Sequence, residues 1–433
     1  MKIILLSGGS GKRLWPLSNN VRSKQFLKLL PGPEGKGSES MIQRVIRQIN
    51  ESGIADSITI ATGDSQLDQI RNQLGEKVNV VTEPSRRDTF PAIALACKFL
   101  TETGTSLDEA VVIMPCDVFT EAGYFKTISK MGKAIEDGIA NLVLMGIKPT
   151  SPSPRFGYIV PASDQRSDSE IYNVKEFTEK PDIKRAKKLI ENKAVWNGGV
   201  FAFRLGYLMD IVKQYAPNSS FSELRENFEV LPKISFDYEV VEKAQSVAMI
   251  PYKGIWKDLG TWDTLSEELS DRIIGNVILS PDTDSTHVIN EFKIPIVCAG
   301  TKNLIIAASP DGILIADKSH GNKIKEYLSE IDLPPMYEER KWGSSQILSM
   351  FTLIENNGYS ITKSLSINKD GIIEYSPNQK RKTTLTIVEG EVKVCQNCNE
   401  YSAYSGEVIT IENGGLSINA LLPTTIIEVS ILR

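Results

Sequence analysis

Glycines and cations are concentrated in LLSGGSGKRLWPLS, directly after the apolar start of the chain. Gly8, Gly9 and Gly11 let backbone N–H groups approach an anion closely. The Arg13 guanidinium is a bidentate donor to phosphate oxygens, and Lys24, in the following RSKQFL, adds a second positive charge. The pattern therefore indicates phosphate binding, against the alternative of an ordinary glycine-rich turn with solvated cations.

The spacing in this loop excludes two common nucleotide-binding motifs. A P-loop needs glycine where Leu6 stands, and serine or threonine where Arg13 stands. A dinucleotide-binding loop needs a third glycine where Leu14 stands. The loop therefore favours neither a P-loop kinase nor a dehydrogenase.

The elements around this loop follow from the apolar pattern. Short apolar runs alternate with amphipathic stretches from residue 2 to about 265. They predict an α/β fold with helices on both faces of the sheet and buried strands in KIILL, SITIATG, VNVVTEP, AVVIMPCD and LVLMGIK. DTFPAIALACKFLTETG is predicted to be a helix capped by Asp88 or Thr89. Ligands gather at the carboxyl ends of strands in such sheets, where the loops after Leu6 and Met114 fall.

The pattern changes twice further along the chain. Strand-like HVIN, PIVCAG, NLIIAA and GILIAD precede a helical KIKEYLSEI, and LPPMYEERKWG is interpreted as a linker. Alternating β-type segments with Gly, Asn and Ser turns then continue to the end. We therefore predict an α/β catalytic domain over 1–270, a β-rich linking unit over 271–335 and an all-β domain over 336–433.

Composition excludes several classes of partner and chemistry. The net charge of −5, from 49 Lys+Arg against 54 Asp+Glu without long same-sign runs, argues against a nucleic-acid partner. No apolar run approaches the ~20 residues of a membrane span and the start lacks a signal-peptide pattern, so we expect no membrane partner and a cytoplasmic protein. The five cysteines lie mostly in apolar segments, which suits reduced thiols, and two histidines leave little for histidine-based metal sites or triads.

A family resemblance rests on the opening loop and on motifs that follow it in order. GGSGKRLWPLS with SKQFL is similar to the signature of sugar-nucleotide pyrophosphorylases, and RLWPLS with KQFL resembles the mannose-1-phosphate guanylyltransferase branch. The further matches are EPSRRDTFPAIALA, VVIMPCD, FGYI, EFTEKP, WNGGVFAF, SFDYEVVEKA and WKDLGTW. The resemblance implies a Rossmann-like mixed sheet, and it continues through GILIADK to the RKWG segment.

The reaction that this resemblance implies is attack by a sugar 1-phosphate oxygen on the α-phosphorus of a nucleoside triphosphate, which expels pyrophosphate. The nucleophile is already an anion, so charge neutralisation, in-line placement and Mg²⁺ are needed rather than a general base. By match to the family, Arg13, Lys24 and Asp117 are the expected catalytic residues, and Asp117 and Asp258 the expected metal ligands. For Asp117 the alternative is a helix or turn cap.

The resemblance also implies the remaining binding residues. The expected nucleotide-binding residues are Leu6, Gly8, Gly9, Gly11, Arg13, Lys24, Arg87, Asp88 and Asp117. Lys12 is expected to be solvated, and Asp88 stands where the family more often has Asn. The expected sugar-phosphate residues are Gly157, Tyr158, Glu179, Lys180, Asn197, Gly198 and Asp237. Among these, Lys180 is the expected cation for the phosphate, Gly198 stands where the family more often has Ser, and Asp237 could equally cap a helix.

The terminal segment resembles a cupin-type β-barrel through its β rhythm and the phrase TIVEGEV. Longer relatives carry phosphomannose isomerase activity there on a histidine-bound metal, but no histidine follows His320 in this chain. We therefore expect a cupin-like domain with no such metal, no isomerase activity and a structural or homo-oligomerising role. Cys395 and Cys398 are interpreted as a hairpin turn rather than a zinc site, and His320 as a loop residue.

The leading hypothesis is a nucleotidyltransferase that makes GDP-mannose from GTP and α-D-mannose 1-phosphate with Mg²⁺. One alternative is another pair of nucleoside triphosphate and sugar 1-phosphate, such as a heptose or glucose 1-phosphate. The other is a non-catalytic regulatory homologue that binds a nucleotide sugar. The joint presence of Arg13, Lys24, Asp117 and Asp258 favours an enzyme.

Overall fold

The computed structural model describes residues 1–9, 12–19, 21–162, 170–269, 271–321, 323–328, 331, 333–353, 358–377, 381–396, 399–411 and 415–432. The chain forms two compact units. The first comprises 1–9, 28–67 and 76–259, and the second 10–27, 68–75 and 260–433. None of the helices described is long and apolar enough to cross a membrane.

The first unit is built on a large mixed sheet. The strands of this unit are β1 (Lys2–Ser7), β2 (Leu30–Pro31), β3 (Ser38–Glu39), β4 (Ser57–Gly63), β5 (Asn79–Glu83), β6 (Ala110–Pro115), β7 (Val118–Thr120), β8 (Leu142–Ile147), β9 (Tyr158–Pro161), β10 (Tyr172–Thr178), β11 (Val195–Arg204), β12 (Val247–Tyr252) and β13 (Trp256–Asp258). The order in the nine-stranded sheet is β5-β4-β1-β6-β11-β8-β12-β10-β9. β5, β4, β1 and β6 are parallel, and β11 runs against both β6 and β8. The predicted strands and the predicted mixed α/β sheet are confirmed.

Helices cover both faces of this sheet. They are α1 (Met41–Ser52), α3 (Thr89–Glu102), α4 (Ala122–Glu136), α5 (Ile183–Glu191), α6 (Leu205–Val212) and α7 (Phe221–Glu226). The helix α2 (Leu67–Leu74) belongs to the second unit from Asp68 onward. Ile4, Val111 and Ile113 pack in one core with α3, whereas their buried neighbours Ile3 and Val112 point to the other face, where α4 contacts β6 and β8. The helix predicted after Asp88 is confirmed, with Asp88 as its N-cap.

The second unit contains the strands after residue 260 together with short helices. These elements are α8 (Trp262–Glu268), β14 (Ile273–Ile274), β15 (Val277–Leu279), β16 (His287–Asn290), β17 (Ile296–Cys298), β18 (Leu304–Ser309), β19 (Gly312–Asp317), α9 (Ile324–Tyr327), β20 (Tyr337–Arg340), β21 (Gly343–Leu353), β22 (Gly358–Ile367), β23 (Ile372–Tyr375), β24 (Arg381–Glu389), β25 (Glu391–Gln396), β26 (Asn399–Tyr404), β27 (Val408–Ile411), β28 (Leu416–Ala420) and β29 (Thr424–Leu432). A six-stranded sheet β20-β21-β22-β29-β24-β27 and a four-stranded sheet β23-β28-β25-β26 enclose an apolar core, which confirms the β-rich terminal region.

The segment interpreted as a linker contains a strand. β20 lies inside LPPMYEERKWG and pairs antiparallel with β21. Its charged side chains have partners within the second unit, because Arg340 forms an ion pair with Glu338 and Arg22 lies 3.9 Å from Glu339. The charged composition therefore concealed an edge strand. The predicted borders near 270 and 335, and the cupin-like character of the terminal domain, stay predictions.

Candidate functional site

Two carboxylates come together at the carboxyl edge of the large sheet. β1 and β6 are parallel neighbours, with Leu6 opposite Pro115. Asp117 follows β6 directly, and the antiparallel pairing of β7 with β13 sets Asp258 opposite Val118. Residues directly opposite in such a pair have Cα atoms roughly 5 Å apart. The two predicted metal ligands therefore lie on neighbouring backbone segments.

This pair fits Mg²⁺ by its donor chemistry. Asp117 and Asp258 both offer carboxylate oxygens, and Mg²⁺ commonly takes one or two protein carboxylates together with phosphate oxygens and water. Within the described part of the chain, no three His, Cys, Asp or Glu side chains are grouped to hold a metal by themselves. The arrangement suits a cation that a phosphate-bearing ligand shares with the protein.

The first half of the glycine-rich loop leaves β1 at the same edge. Gly9 has a φ of +134°, which side-chain-bearing residues rarely adopt, and a Cβ built on Gly8 or Gly9 would meet nothing within 4 Å. Open space therefore lies beside both residues. Ser10, Gly11 and the side chain of Lys12 lie outside the described part of the chain, so the predictions for Gly11 and Lys12 stay predictions.

Arg13 and Lys24 belong to the second compact unit. Arg13 is exposed, and the backbone beyond it is anchored within that unit, because the Trp262 indole N–H donates to the Trp15 carbonyl at 3.0 Å. Lys24 is half-buried and begins a short 3₁₀-helix that ends at Phe26.

Arg87 and Asp88, which are also predicted to bind the nucleotide, differ in how their side chains are held. The Arg87 guanidinium donates to the Leu231 carbonyl at 3.3 Å from Nε and 3.2 Å from Nη2, so it anchors the 229–231 segment. Its position does not support the predicted nucleotide contact. Asp88 is exposed at the start of α3, where its carboxylate accepts the Thr89 N–H at 2.8 Å.

Glu83 is a residue at this edge that sequence reasoning missed. It ends β5 opposite Gly63, and its Oε2 is buried with no hydrogen-bond partner among the described residues. Burial raises its pKa to about 7, with Arg86 acting in the opposite direction. A carboxyl group at the carboxyl end of a strand was a visible signal, but the motif EPSRRDT drew attention to its later residues.

A second cluster joins residues from four separate segments. The Asn197 amide N–H donates to Asp237 Oδ1 at 2.7 Å, and its backbone N–H donates to the Gly157 carbonyl at 2.8 Å. Glu179 lies beside Gly157 with its side chain only 5% exposed, and its Oε1 pairs with Lys180 Nζ at 2.8 Å. The structure thus brings together five of the predicted sugar-phosphate residues.

The electrostatics of this cluster favour a ligand with hydroxyl groups. Burial, and then the neighbouring Glu179 charge, raise the pKa of Asp237 to about 7, against the effects of Lys180 and Asn197. Glu179 Oε2 is buried without a hydrogen-bond partner among the described residues. A sugar hydroxyl would supply the donor that this oxygen lacks. Asp237 is therefore a member of this cluster, and it also begins the short helix Asp237–Val241.

Two other predicted sugar residues contribute little through their side chains. Tyr158 is fully buried, and its hydroxyl accepts from the Ser153 N–H at 2.9 Å and donates to the Ser153 carbonyl at 3.0 Å, which leaves only its backbone near the cluster. Gly198 lies in the irregular part of β11, where a Cβ would come within 3.0 Å of Ile147 Cγ1. A serine there would need Ile147 to move.

An aromatic group beside the two clusters was also missed. Phe156 packs on Trp196 with ring centroids 4.6 Å apart and on Trp256 at 5.6 Å. Both indole N–H groups are buried without acceptors among the described residues. Trp256 begins the strand that carries Asp258, and Trp196 precedes Asn197. The motifs contained both tryptophans, but only the polar residues were considered.

Comparison with known proteins identifies what the chain is similar to. The model of the nucleotidyl transferase family matches residues 2–272. A mannose-1-phosphate guanylyltransferase from Salmonella montevideo is 27% identical over 95% of this chain and 93% of its own length. A second mannose-1-phosphate guanylyltransferase, from Escherichia coli K12, is 28% identical over 78% of this chain and 74% of its own length.

A solved structure shares the fold. The crystal structure of a protein described as mannose-1-phosphate geranyltransferase, from Thermus thermophilus, superposes with a TM-score of 0.63. It is 27% identical, and the match covers 77% of this chain and 99% of that one.

Proposed function

This chain belongs to the nucleotidyl transferase family, and we propose that it transfers the guanylyl group of GTP to α-D-mannose 1-phosphate, releasing pyrophosphate and GDP-mannose. The supporting observation is that the carboxylate pair and the sugar-type cluster lie at the same edge of the large sheet. β6 and β8 are parallel, since β11 runs against both, and Asn197 stands opposite Gly146 near the carboxyl end of β8. Two relatives are named for this activity.

The residues of the first unit have distinct proposed roles. Asp117 and Asp258 would hold Mg²⁺, which supplies charge neutralisation at the phosphates when bound. Glu179, Asn197 and Asp237 would bind sugar hydroxyls, and Lys180 the sugar phosphate. The phosphate oxygen that attacks is already ionised, so none of these residues has to remove a proton. Their task is to orient the two anions and to offset their repulsion.

The roles of Arg13 and Lys24 rest on the motif alone. Both are proposed to bind oxygens of the triphosphate and the leaving pyrophosphate. Guanine selection is proposed to involve Asp88 and Glu83, because carboxylates accept the N1–H and N2–H donors of guanine. Glu83 Oε2, which is buried without a hydrogen-bond partner among the described residues, supports this role.

The decisive experiment measures pyrophosphate release for four nucleoside triphosphates against several sugar 1-phosphates, with and without Mg²⁺. We expect turnover with GTP and mannose 1-phosphate that requires the metal. Preference for another nucleotide or sugar would replace the substrate assignment and leave the chemistry intact. No release in any combination would contradict the enzyme and favour a binding homologue.

A carboxylate substitution tests the site itself. Asp117→Asn keeps the side-chain size but removes the charge, and we expect kcat to fall by about 10²–10³. Asp137→Asn, an exposed position at the end of α4, is the matched control and should keep wild-type turnover. Near-normal kcat for Asp117→Asn would reject this residue as a metal ligand.

A further inference from the structure

The inner face of the terminal β domain changes from apolar to polar along three adjacent strands. Ile426 of β29 faces inward opposite Leu365 of β22 and Ile387 of β24, and all three are buried. Two residues further along β29, Glu428 is only 3% exposed at the next inward position, opposite Lys363 of β22. Burying a polar side chain inside a β domain costs free energy unless the side chain has hydrogen-bond partners. A polar inner face therefore indicates a function.

The polar end of this face opens into a cavity of about 440 Å³. Glu428, Arg381, Lys363 and Thr383 line its polar wall, and Trp342 and Tyr375 are among the aromatic lining. The volume falls in the ~300–1,000 Å³ range of small-molecule sites. The cavity is therefore large enough for a molecule the size of a modified hexose.

A network of hydrogen bonds holds the Arg381 guanidinium in one orientation. Its Nη2 donates to Glu428 Oε1 at 2.5 Å and to Ser430 Oγ at 2.8 Å, while Nε donates to Thr383 Oγ1 at 3.0 Å. The Tyr375 hydroxyl donates to the other Glu428 oxygen at 2.9 Å. Nη1 has no partner among the described residues, and the Arg381 side chain remains 33% exposed. The network thus presents one fixed N–H edge to the cavity.

Lys363 is the second cation on this wall. It stands directly opposite Glu428 in the strand pairing, yet it makes no ion pair among the described residues, and both Glu428 oxygens accept from other donors. Of the remaining charged lining residues, Arg340 and Glu338 pair with each other and Glu374 is exposed. The cavity therefore holds one fixed guanidinium edge and one unpaired ammonium group near each other.

We propose that this cavity is a binding site for a small hydroxylated organic anion, with its carboxylate or phosphate on Lys363 and Arg381. Hydroxyl groups of the ligand would meet Thr383 and Ser345, and its carbon skeleton would lie against Trp342. Lys363 has no ion pair among the described residues, and Arg381 keeps Nη1 unpaired while its Nη2 pairs with Glu428, so the wall offers two positively charged donors to an anion. The site is independent of the proposed nucleotidyl transfer.

Isothermal titration calorimetry on the full-length protein tests this proposal with three probes of one carbon skeleton. Gluconate carries a carboxylate, glucose 6-phosphate a phosphate, and glucose no charge. We expect one bound molecule per chain for at least one of the anions and none for glucose, and the better anion identifies the head group. Absence of binding by both anions at 10 mM, or equal binding of glucose, would overturn the proposal.

Variants locate the site. Lys363→Met should raise the Kd for the anion by about 10-fold or more, and the Kd of Lys363→Arg should stay within about threefold of the wild-type value. Lys369→Met, at an exposed turn of the same domain, is the matched control and should bind like wild type. Binding should persist in Gly157→Ala, whose sugar-type cluster is disturbed. Unchanged affinity in Lys363→Met, or loss in Gly157→Ala alone, would place the anion elsewhere.

Discussion

At the scale of single residues, the sugar-type cluster depends on the absence of a side chain at Gly157. A methyl group there would lie 2.4 Å from Glu179 Oε2, closer than real contacts allow, and 3.1 Å from the Phe177 ring, which is a tight contact. We expect Gly157→Ala to displace the Glu179 carboxylate and to raise KM for the sugar 1-phosphate about 10-fold or more, with KM for the nucleotide within about twofold.

The control for this substitution is Gly123→Ala in α4. A Cβ there would have only an ordinary contact, 3.6 Å from Tyr252 Cε2, so steady-state kinetics should match wild type. A sugar-phosphate KM that is equally unchanged in Gly157→Ala would contradict the assigned geometry.

Asp237 gives the stability of the fold a pH dependence. Its pKa is about 7 in the folded chain against 3.8 as the ordinary value, because burial and Glu179 disfavour the charged form. Between these two values the folded chain binds a proton that the unfolded chain has released, so the free energy of unfolding falls as pH rises from about 4 to about 7. At about 1.4 kcal/mol per unit, the loss is at most about 4 kcal/mol.

Asp237→Asn tests this linkage. Asparagine still offers an oxygen to the Asn197 amide but does not titrate, so chemical denaturation should show a smaller loss of stability between pH 4.5 and 7.5 than in wild type. Asp210→Asn, on the exposed face of α6, should keep the wild-type slope. Parallel curves for wild type and Asp237→Asn would show that the carboxyl group ionises normally.

At the scale of elements, the start of α3 is tied to the segment that leads into Asp237. The Phe236 N–H donates to Thr89 Oγ1 at 2.8 Å, and the Phe90 N–H donates to the Ile234 carbonyl at 3.2 Å. Arg87 anchors the same segment further back. The start of α3, which carries Asp88, and the sugar-type cluster are therefore both tied to the 231–237 segment.

Thr89→Val removes the acceptor of the buried Phe236 N–H without changing side-chain shape. An unpaired buried donor costs about 1–3 kcal/mol, so amide hydrogen exchange in the 229–237 segment should accelerate about 10-fold or more. Thr103→Val, at the exposed end of α3, should leave that segment unchanged. Equal protection in both variants would mean that the segment is held by its other contacts.

The elements differ in how far the sequence could predict them. Apolar runs located β1 and β6. The rule that ligands bind at the carboxyl ends of strands in an α/β sheet placed the loop after Leu6 beside the segment that carries Asp117. Both predictions succeed because strand period and chain direction are local properties. The sugar-type cluster needed the irregular register of β11 and a positive φ of +68° at Gly199, which depend on packing. Tyr158 illustrates the limit, since its hydroxyl bonds the backbone of Ser153, which lies outside its own motif.

At the scale of the whole chain, the second half of the opening loop is anchored by residues far away in sequence. Asn19 Nδ2 donates to Asp311 Oδ2 at 2.8 Å, and the Ser309 hydroxyl donates to the Pro16 carbonyl at 2.6 Å. In the sequence, Ser309 ends β18 and Asp311 lies in the short turn before β19. Their role in the second unit was therefore not predictable from local pattern.

Arg22 tests this long-range anchoring. Its Nη1 donates to both Glu291 oxygens, at 2.8 and 3.0 Å, and its guanidinium lies 5.0 Å from the centre of the Tyr337 ring. Arg22→Met would leave the partly exposed Glu291 carboxylate without its cation. We expect a loss of about 2–4 kcal/mol in chemical denaturation, below the cost for a fully buried pair because the Glu291 side chain is 26% exposed.

The same substitution should also free the loop locally. Trypsin should cleave after Lys24 faster in Arg22→Met than in wild type, because proteolysis follows the population of opened states. The matched control is Lys213→Met, which breaks an exposed pair with Asp210 and should change stability by no more than about 0.5 kcal/mol. If Arg22→Met changed stability and the cleavage rate as little as this control does, the loop that carries Arg13 and Lys24 would be held by its hydrogen bonds alone. The ion pair of Arg22 with Glu291 would then not stabilise the loop.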